Sequence, residues 1–186
     1  MAASRGMIGI AVTGVVVAGA GFALAGTANA ATTSETVTAY SSDDAYTSST
    51  RKNVNFGQAD KLVVGKEGGE TRLSYVKFTP KLAAGVTVTG AELRLPVESK
   101  PVAATLSVHS VAATWSEKTV TAANAPALGT VVASTKPKIT DTSLAFDVSK
   151  LVTKAGTYAF ALSSSSTTAI TRLRSLEYGD ATTGGP

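Results

Sequence analysis

The chain has 186 residues, with 17 Lys and Arg against 13 Asp and Glu (net charge +4), one histidine and no cysteine. Without cysteine, neither disulfides nor thiolate metal sites can support the fold, and a single histidine rules out a metal centre or nucleophile system built on clustered imidazoles. So small a charge excess argues for no nucleic-acid partner, although it suits an anionic polymer if the basic side chains converge on one face.

Residues 1–30 read as a Sec-type export signal. Arg5 supplies a positive start, residues 7–25 are nearly all apolar, and Ala28-Asn29-Ala30 is a small-residue cleavage site. The segment is Gly-rich and has no basic stop-transfer flank, so cleavage near Ala30, secretion and no stable membrane insertion are expected. Only Arg5 is charged in this stretch, so the mature net charge falls from +4 to +3. Residues 31–35 form a short polar leader, and residues 36–186 are long enough for one domain with a sizeable core.

From Thr36 onward, short runs of alternating apolar and polar residues are separated by Gly, Pro, Ser, Asn and Asp, the pattern of half-buried antiparallel strands. Candidates in chain order are 36–40, 61–64, Val76 and Phe78 with Lys77 outward, 87–97, 106–111, 130–134, the Leu144, Phe146, Val148 run, the Tyr158, Phe160, Leu162 run, and 170–178. The clearest is 87–97, where Ala91, Leu93, Leu95 and Val97 share one face and Glu92 and Arg94 the other. Residues 149–154 predict one helical turn, with Ser149 as N-cap, Gly156 as terminator, and Leu151 and Val152 turned into the core. Nine or ten short strands predict an all-β antiparallel sandwich of jelly-roll type.

Several segments in order carry a resemblance. Asp44-Ala45-Tyr46, Asn55-Phe56-Gly57, Leu62-Val63-Val64 and Ser74-Tyr75-Val76-Lys77-Phe78 are followed by Val88-Thr89-Gly90-Ala91-Glu92-Leu93-Arg94-Leu95. Then come Trp115-Ser116-Glu117-Lys118-Thr119-Val120-Thr121, Asn124-Ala125-Pro126 and Phe146-Asp147-Val148-Ser149. Together they resemble the DNRLRE domain, grouped with the family 96 carbohydrate-binding modules. The resemblance implies a β-jelly roll and polysaccharide binding, with acidic, alginate-like glycans among the ligands. The chain departs from the pattern at Ser175-Leu176-Glu177, where the family usually has Ser-Arg-Glu; the role of that arginine is lost or passes to Arg174 or Arg172. It departs again at Gly184-Gly185-Pro186, where the family runs on into a final apolar strand; the expectation is a longer chain or an open sheet edge.

Catalysis finds little support among the residues. The carboxylates Asp43, Asp44, Asp60, Glu67, Glu70, Glu117, Asp147 and Glu177 present no distinguished glycosidase pair, and a lyase site from Tyr75, Arg72 and Lys77 has no orienting histidine. His109 lies in a strand and reads as structural or surface. The expected function is non-catalytic binding of an extracellular polysaccharide, with Arg51, Lys52, Lys61, Lys66, Arg72 and Lys77 as a basic strip for uronic carboxylates. Tyr75 and Tyr178, with Tyr46, offer stacking faces, whereas Trp115 reads as a buried anchor. The alternative is a structural or adhesive cell-surface domain without a sugar site. No cofactor is expected beyond a structural calcium, for which Asp43, Asp44 and Glu177 are the candidates. Gly57 or Asn55 is expected at positive φ.

Overall fold

In the computed structural model, residues 8–17 and 32–179 are described. They form ten strands and no helix: β1 (Gly9–Val17), β2 (Thr32–Ser48), β3 (Lys61–Glu67), β4 (Glu70–Phe78), β5 (Thr87–Pro96), β6 (Leu106–Val111), β7 (Val131–Thr135), β8 (Ser143–Asp147), β9 (Tyr158–Ser164) and β10 (Ile170–Arg174). Every pairing among them is antiparallel, in the order β7-β6-β9-β4-β2-β1-β5-β8, with β3 bridging β4 to β10. The all-β antiparallel expectation therefore holds.

Two sheets arise from one continuous path because β2 belongs to both. Its first part, Thr32 to Tyr40, pairs with β1; its last part, Ser41 to Ser48, pairs with β4; and a bulge between Ser41 and Asp43 marks the change. A bulge bends and twists a strand locally, which lets one strand leave one sheet for another. The layers then face each other. Ile8 beside β1, Ile10 and Val12 of β1, Leu93 and Leu95 of β5 and Phe146 of β8 pack against Val76 and Phe78 of β4, Phe160 and Leu162 of β9 and Leu106 and Val108 of β6. The end strands β7 and β8 lie beside each other, so the sandwich is nearly closed.

Alternation dictates which side chains enter that core. On β5 the burial follows the sequence pattern: Ala91, Leu93 and Leu95 are inward, while Glu92 and Arg94 pair with each other outside at 2.6 Å. Such an exposed ion pair adds under about 1 kcal/mol. Register then aligns Ala39, Ile10, Leu93 and Phe146 as one apolar row across four strands. Each neighbouring pair along such a row is worth roughly 0.2–1 kcal/mol beyond alanine.

Two local readings change, and part of the segment read as an export signal takes part in the sheet. Residues 8–17, expected to lie in a removed leader, form β1 with its flanking Ile8; the rest of the expected export signal lies outside the described residues. The helical turn at 149–154 is a single hydrogen-bonded turn, in which Leu151 and Val152 N–H both donate to Val148 O. Asp147 caps it in place of Ser149, since Asp147 Oδ1 accepts from both the backbone N–H and the hydroxyl of Ser149. Val152 does enter the core, and Leu151 packs against it. Gly57 is needed for space and not for φ: a Cβ there would stand 2.1 Å from Glu117 O.

Phe78 is fully buried against Phe160, ring centroids 6.3 Å apart, whereas Val131 is 55% exposed on β7. Urea unfolding of Phe78→Ala should lose about 3–5 kcal/mol, and Val131→Ala should change stability by less than about 0.5 kcal/mol. Equal effects from the two would contradict this assignment of the core.

Candidate functional site

The site residues are sorted by the pairing of β2 with β4. Ser48 stands opposite Arg72, Tyr46 opposite Ser74, Ala45 opposite Tyr75 and Asp43 opposite Lys77. Cross-strand partners share a face and successive residues alternate, so Tyr46, Ser48 and Arg72 lie on one side of the sheet and Ala45, Tyr75 and Lys77 on the other. The expected basic strip is thereby divided between two faces.

On the first face a cleft of about 400 Å³ is lined by Arg51, Lys61, Arg72 and Arg172, with Asp60 and Glu67 as its carboxylates and Tyr46, Phe56, Val63 and Ile170 among its remaining lining residues. Phe56 lies flat against Tyr46, centroids 4.3 Å apart and planes within 18° of parallel, and the two residues also form a backbone bridge. Arg51 caps the stack, with its guanidinium carbon 4.6 Å from the Phe56 centroid. The segment bearing Arg51 and Phe56 is pinned from behind by Asn55, whose Nδ2 donates to Glu117 O and Val120 O, both at 2.7 Å, while its Oδ1 accepts from Gly57 N–H.

Arg72 is held by two carboxylates. It pairs with Glu70, which also accepts from the Ser48 hydroxyl, and its Nη1 lies 3.8 Å from Glu67. Burial opposes the charge of Glu70, but the Ser48 hydrogen bond and the nearby Arg72 and Arg51 outweigh it and hold the carboxyl below the usual range. Lys61 lies 3.3 Å from Asp60. Arg172 enters from β10, where it stands opposite Val63. Arg172 was named from the sequence only as a substitute for a family arginine; its place beside Lys61 follows from β3–β10 pairing between distant segments.

The opposite face is mostly covered. Tyr75 is 2% exposed beneath the segment joining β6 to β7, edge-on to Trp115 at 5.9 Å, and its hydroxyl donates to Pro126 O at 3.5 Å. Burial pushes its phenol upward. Trp115, 7% exposed, is a buried anchor in this second cluster, with Val120, Ala45, Ala159 and Ala161. Lys77 donates to Trp115 O, pairs with Asp43 at 3.3 Å and lies 4.7 Å from the Trp115 ring centroid, so its amine is engaged within this layer. Lys52 lines a second cleft of about 480 Å³ with Tyr75, Leu73, Pro126 and Leu128. Lys66 is exposed opposite Thr71 on the same face as Tyr75, and Tyr178 packs under the Arg174 guanidinium at 4.7 Å. His109 is held between Gly129 O and the Ser163 hydroxyl. Arg72, Tyr75 and Lys77 do not meet, because the first lies across the sheet from the other two.

Asp43, Asp44 and Glu177 come from β2 and from the turn after β10, and the structure brings these segments together. Leu176 N–H donates to Asp44 Oδ2 at 2.9 Å, Asp44 N–H to Glu117 Oε2 and Glu117 N–H to Asp43 Oδ1. Among the described residues no group of three or more Asp, Glu, His or Cys side chains is arranged to hold a metal ion. Asp44 is 1% exposed, and burial above all, then the charge of Glu177, pushes its carboxyl up from 3.8 to about 8 against the pull of the Leu176 hydrogen bond. Glu117 is also raised, first by its own burial.

The sequence model of carbohydrate-binding module family 96 matches residues 35–183, which hold the cleft, most of β2 and the strands β3 to β10. No curated protein matches the chain.

Asp44 binds its proton more tightly folded than unfolded, so it favours the folded state fully below pH about 4 and loses that contribution as pH rises towards about 8. Its charged neighbours are Asp43, Glu117 and Glu177, with Lys77 beyond Asp43. Thermal melts at pH 5 and pH 8.5 should show Asp44→Asn gaining on the wild type at the higher pH. A constant difference between the two proteins would contradict the buried, protonated acid.

Proposed function

Because the chain belongs to carbohydrate-binding module family 96, we propose that its mature form is a secreted, non-catalytic module that holds a uronate-bearing polysaccharide in the cleft lined by Arg51, Lys61, Arg72 and Arg172. One observation carries this reading: four cations and two carboxylates converge around a concave opening that also bears a stacked aromatic pair. A polyuronate presents a carboxylate on each sugar and an apolar ring face beside it. Arg guanidinium matches the carboxylate bidentately, Lys serves it as a point charge, and the Tyr46–Phe56 edge offers an apolar surface to the ring.

The individual residues divide the work. Arg72 is pre-organised by Glu70 and Glu67, so it supplies a fixed charge at small entropic cost but with part of its field already spent. Arg51 and Arg172 both line the cleft, one from the loop after β2 and the other from β10. With Arg72 engaged by two carboxylates, they are the cations offered to a uronate carboxylate. Asp60 and Glu67 lower the net charge, which favours a regularly spaced polyanion over a denser one.

Calorimetric titration with a polyuronate and with a neutral glucan tests the proposal. The polyuronate should bind and the glucan should not, and raising salt from about 0.05 M to about 0.5 M should weaken binding through screening. Arg172→Ala and Arg51→Ala should each lower affinity about 3- to 10-fold, between the worth of an exposed and a desolvated ion pair. Absence of heat with every glycan, from a protein that melts cooperatively, would overturn the proposal. Salt-independent binding would overturn its electrostatic part.

A further inference from the structure

The outward face of β10 continues past the cleft. Leu173 lies in the main core, so its neighbours Arg172 and Arg174 point to the other side of the strand. Antiparallel pairing sets Val63 of β3 opposite Arg172 and Lys61 opposite Arg174. Lys61 and Arg172 line the cleft, whereas Arg174, the next residue on that face, lines another opening of about 440 Å³. Two steps along a strand cover about 7 Å and paired residues stand about 5 Å apart, so the two openings adjoin across these three side chains.

The second opening is fixed beside β10 by the chain that follows β5. Val97 forms a backbone bridge with Leu173, and Glu98 N–H donates to Arg172 O at 3.0 Å. Glu98, Lys100, Ile139 and Asp141 line the opening with Arg174. Asp141 Oδ2 accepts from Lys138 N–H at 2.8 Å and closes the turn that carries Ile139, which is 62% exposed. Arg174 lies over the Tyr178 ring at 4.7 Å, much as Arg51 lies over Phe56 at 4.6 Å. A guanidinium held by its flat face keeps its in-plane N–H fork for a carboxylate. Among the described residues Arg72 and Lys61 form ion pairs, and Arg51, Arg172 and Arg174 form none.

We propose that the two openings are one groove, which holds a run of several uronates across β10, with Arg174 and Lys100 taking carboxylates beyond those met by Arg51 and Arg172. This rests on the glycan reading and deepens it, because the ligand class becomes an extended polyuronate chain and not a single sugar unit. The charge balance changes along the groove: four cations face two carboxylates in the cleft, and two face two in the second opening. Arg174 and Lys100 therefore hold the chain by its carboxylates, while Glu98 accepts from sugar hydroxyls and exposed Ile139 offers an apolar surface to a ring face. The alternation of β10 spaces Arg172 and Arg174 evenly along one line, which suits a ligand whose carboxylates repeat regularly.

Uronate oligosaccharides of different length test the proposal on the full chain, with the Arg Nε resonances as reporters. A hexasaccharide should shift Arg51, Arg172 and Arg174 together and bind at least about 10-fold more tightly than a disaccharide. Arg174→Ala and Lys100→Ala should each cut that affinity ratio about 3- to 10-fold, whereas Arg172→Ala should weaken both ligands. Lys100 is exposed, so its variant keeps the measurement valid where Arg174→Ala disturbs the Tyr178 contact. The proposal is overturned if the hexasaccharide binds no more tightly than the disaccharide, if Arg174 stays unshifted while Arg51 and Arg172 saturate, or if both variants leave the ratio unchanged. Each of these outcomes leaves the glycan reading standing. Silence of every arginine with every oligosaccharide would overturn that reading, and this inference with it.

Discussion

In the pairing of β2 with β4, Ser48 meets Arg72 and Asp43 meets Lys77, and the residues between them change face at every step. The two strands are thus covered by different layers on their two sides. One side holds Val76 and Phe78 in the main core and ends in the cation-lined cleft; the other carries Ala45 and Tyr75 beneath Trp115 and Val120. Shifting this register by one residue would carry Arg72 into the tryptophan layer and Tyr75 into the main core. Both layers and the cation-lined cleft depend on this one alignment.

The Asn55 clamp links the two sides. Its amide spans Glu117 O and Val120 O of the Trp115 segment, while its neighbour Phe56 stacks on Tyr46 in the cleft. Gly57 allows the close approach that brings these segments together, since a Cβ there would overlap Glu117 O. The cleft wall is consequently supported by buried hydrogen bonds on its far side. Such support fixes the cleft wall in one arrangement, and pre-organisation of this kind lowers the entropy lost when a site is occupied.

Strands with clean alternation were legible in the sequence. β5 and β9 begin at their predicted residues, β6 matches at both ends, and Trp115 is the buried anchor that its motif suggested. The period of two is a local property, so it survives without knowledge of partners. The grouping of cations is not local. Arg51, Lys61, Arg72 and Lys77 look like one strip along the chain, but strand parity separates Lys77 from Arg72, and only the β3–β10 pairing brings Arg172 to Lys61. Ser149 is a good cap, and the pattern at 149–154 predicts a helical turn from it, yet Asp147 captures the Ser149 N–H and hydroxyl instead. For β1 the same composition satisfies two demands: an apolar stretch rich in Val, Ile and Gly suits an export signal and equally suits a strand buried in a sheet.

The central claim is that the cations of one sheet face, and not those of the other, meet the polysaccharide. Side-chain NMR of Arg Nε and Lys Nζ during titration with a polyuronate oligosaccharide measures this directly. The account predicts saturating shifts at Arg51, Arg72 and Arg172, with Lys77 unmoved in its contact with Asp43 and Trp115. Shifts centred on Lys77, Lys52 and Tyr75 with the three arginines silent would put the ligand on the opposite face and contradict it.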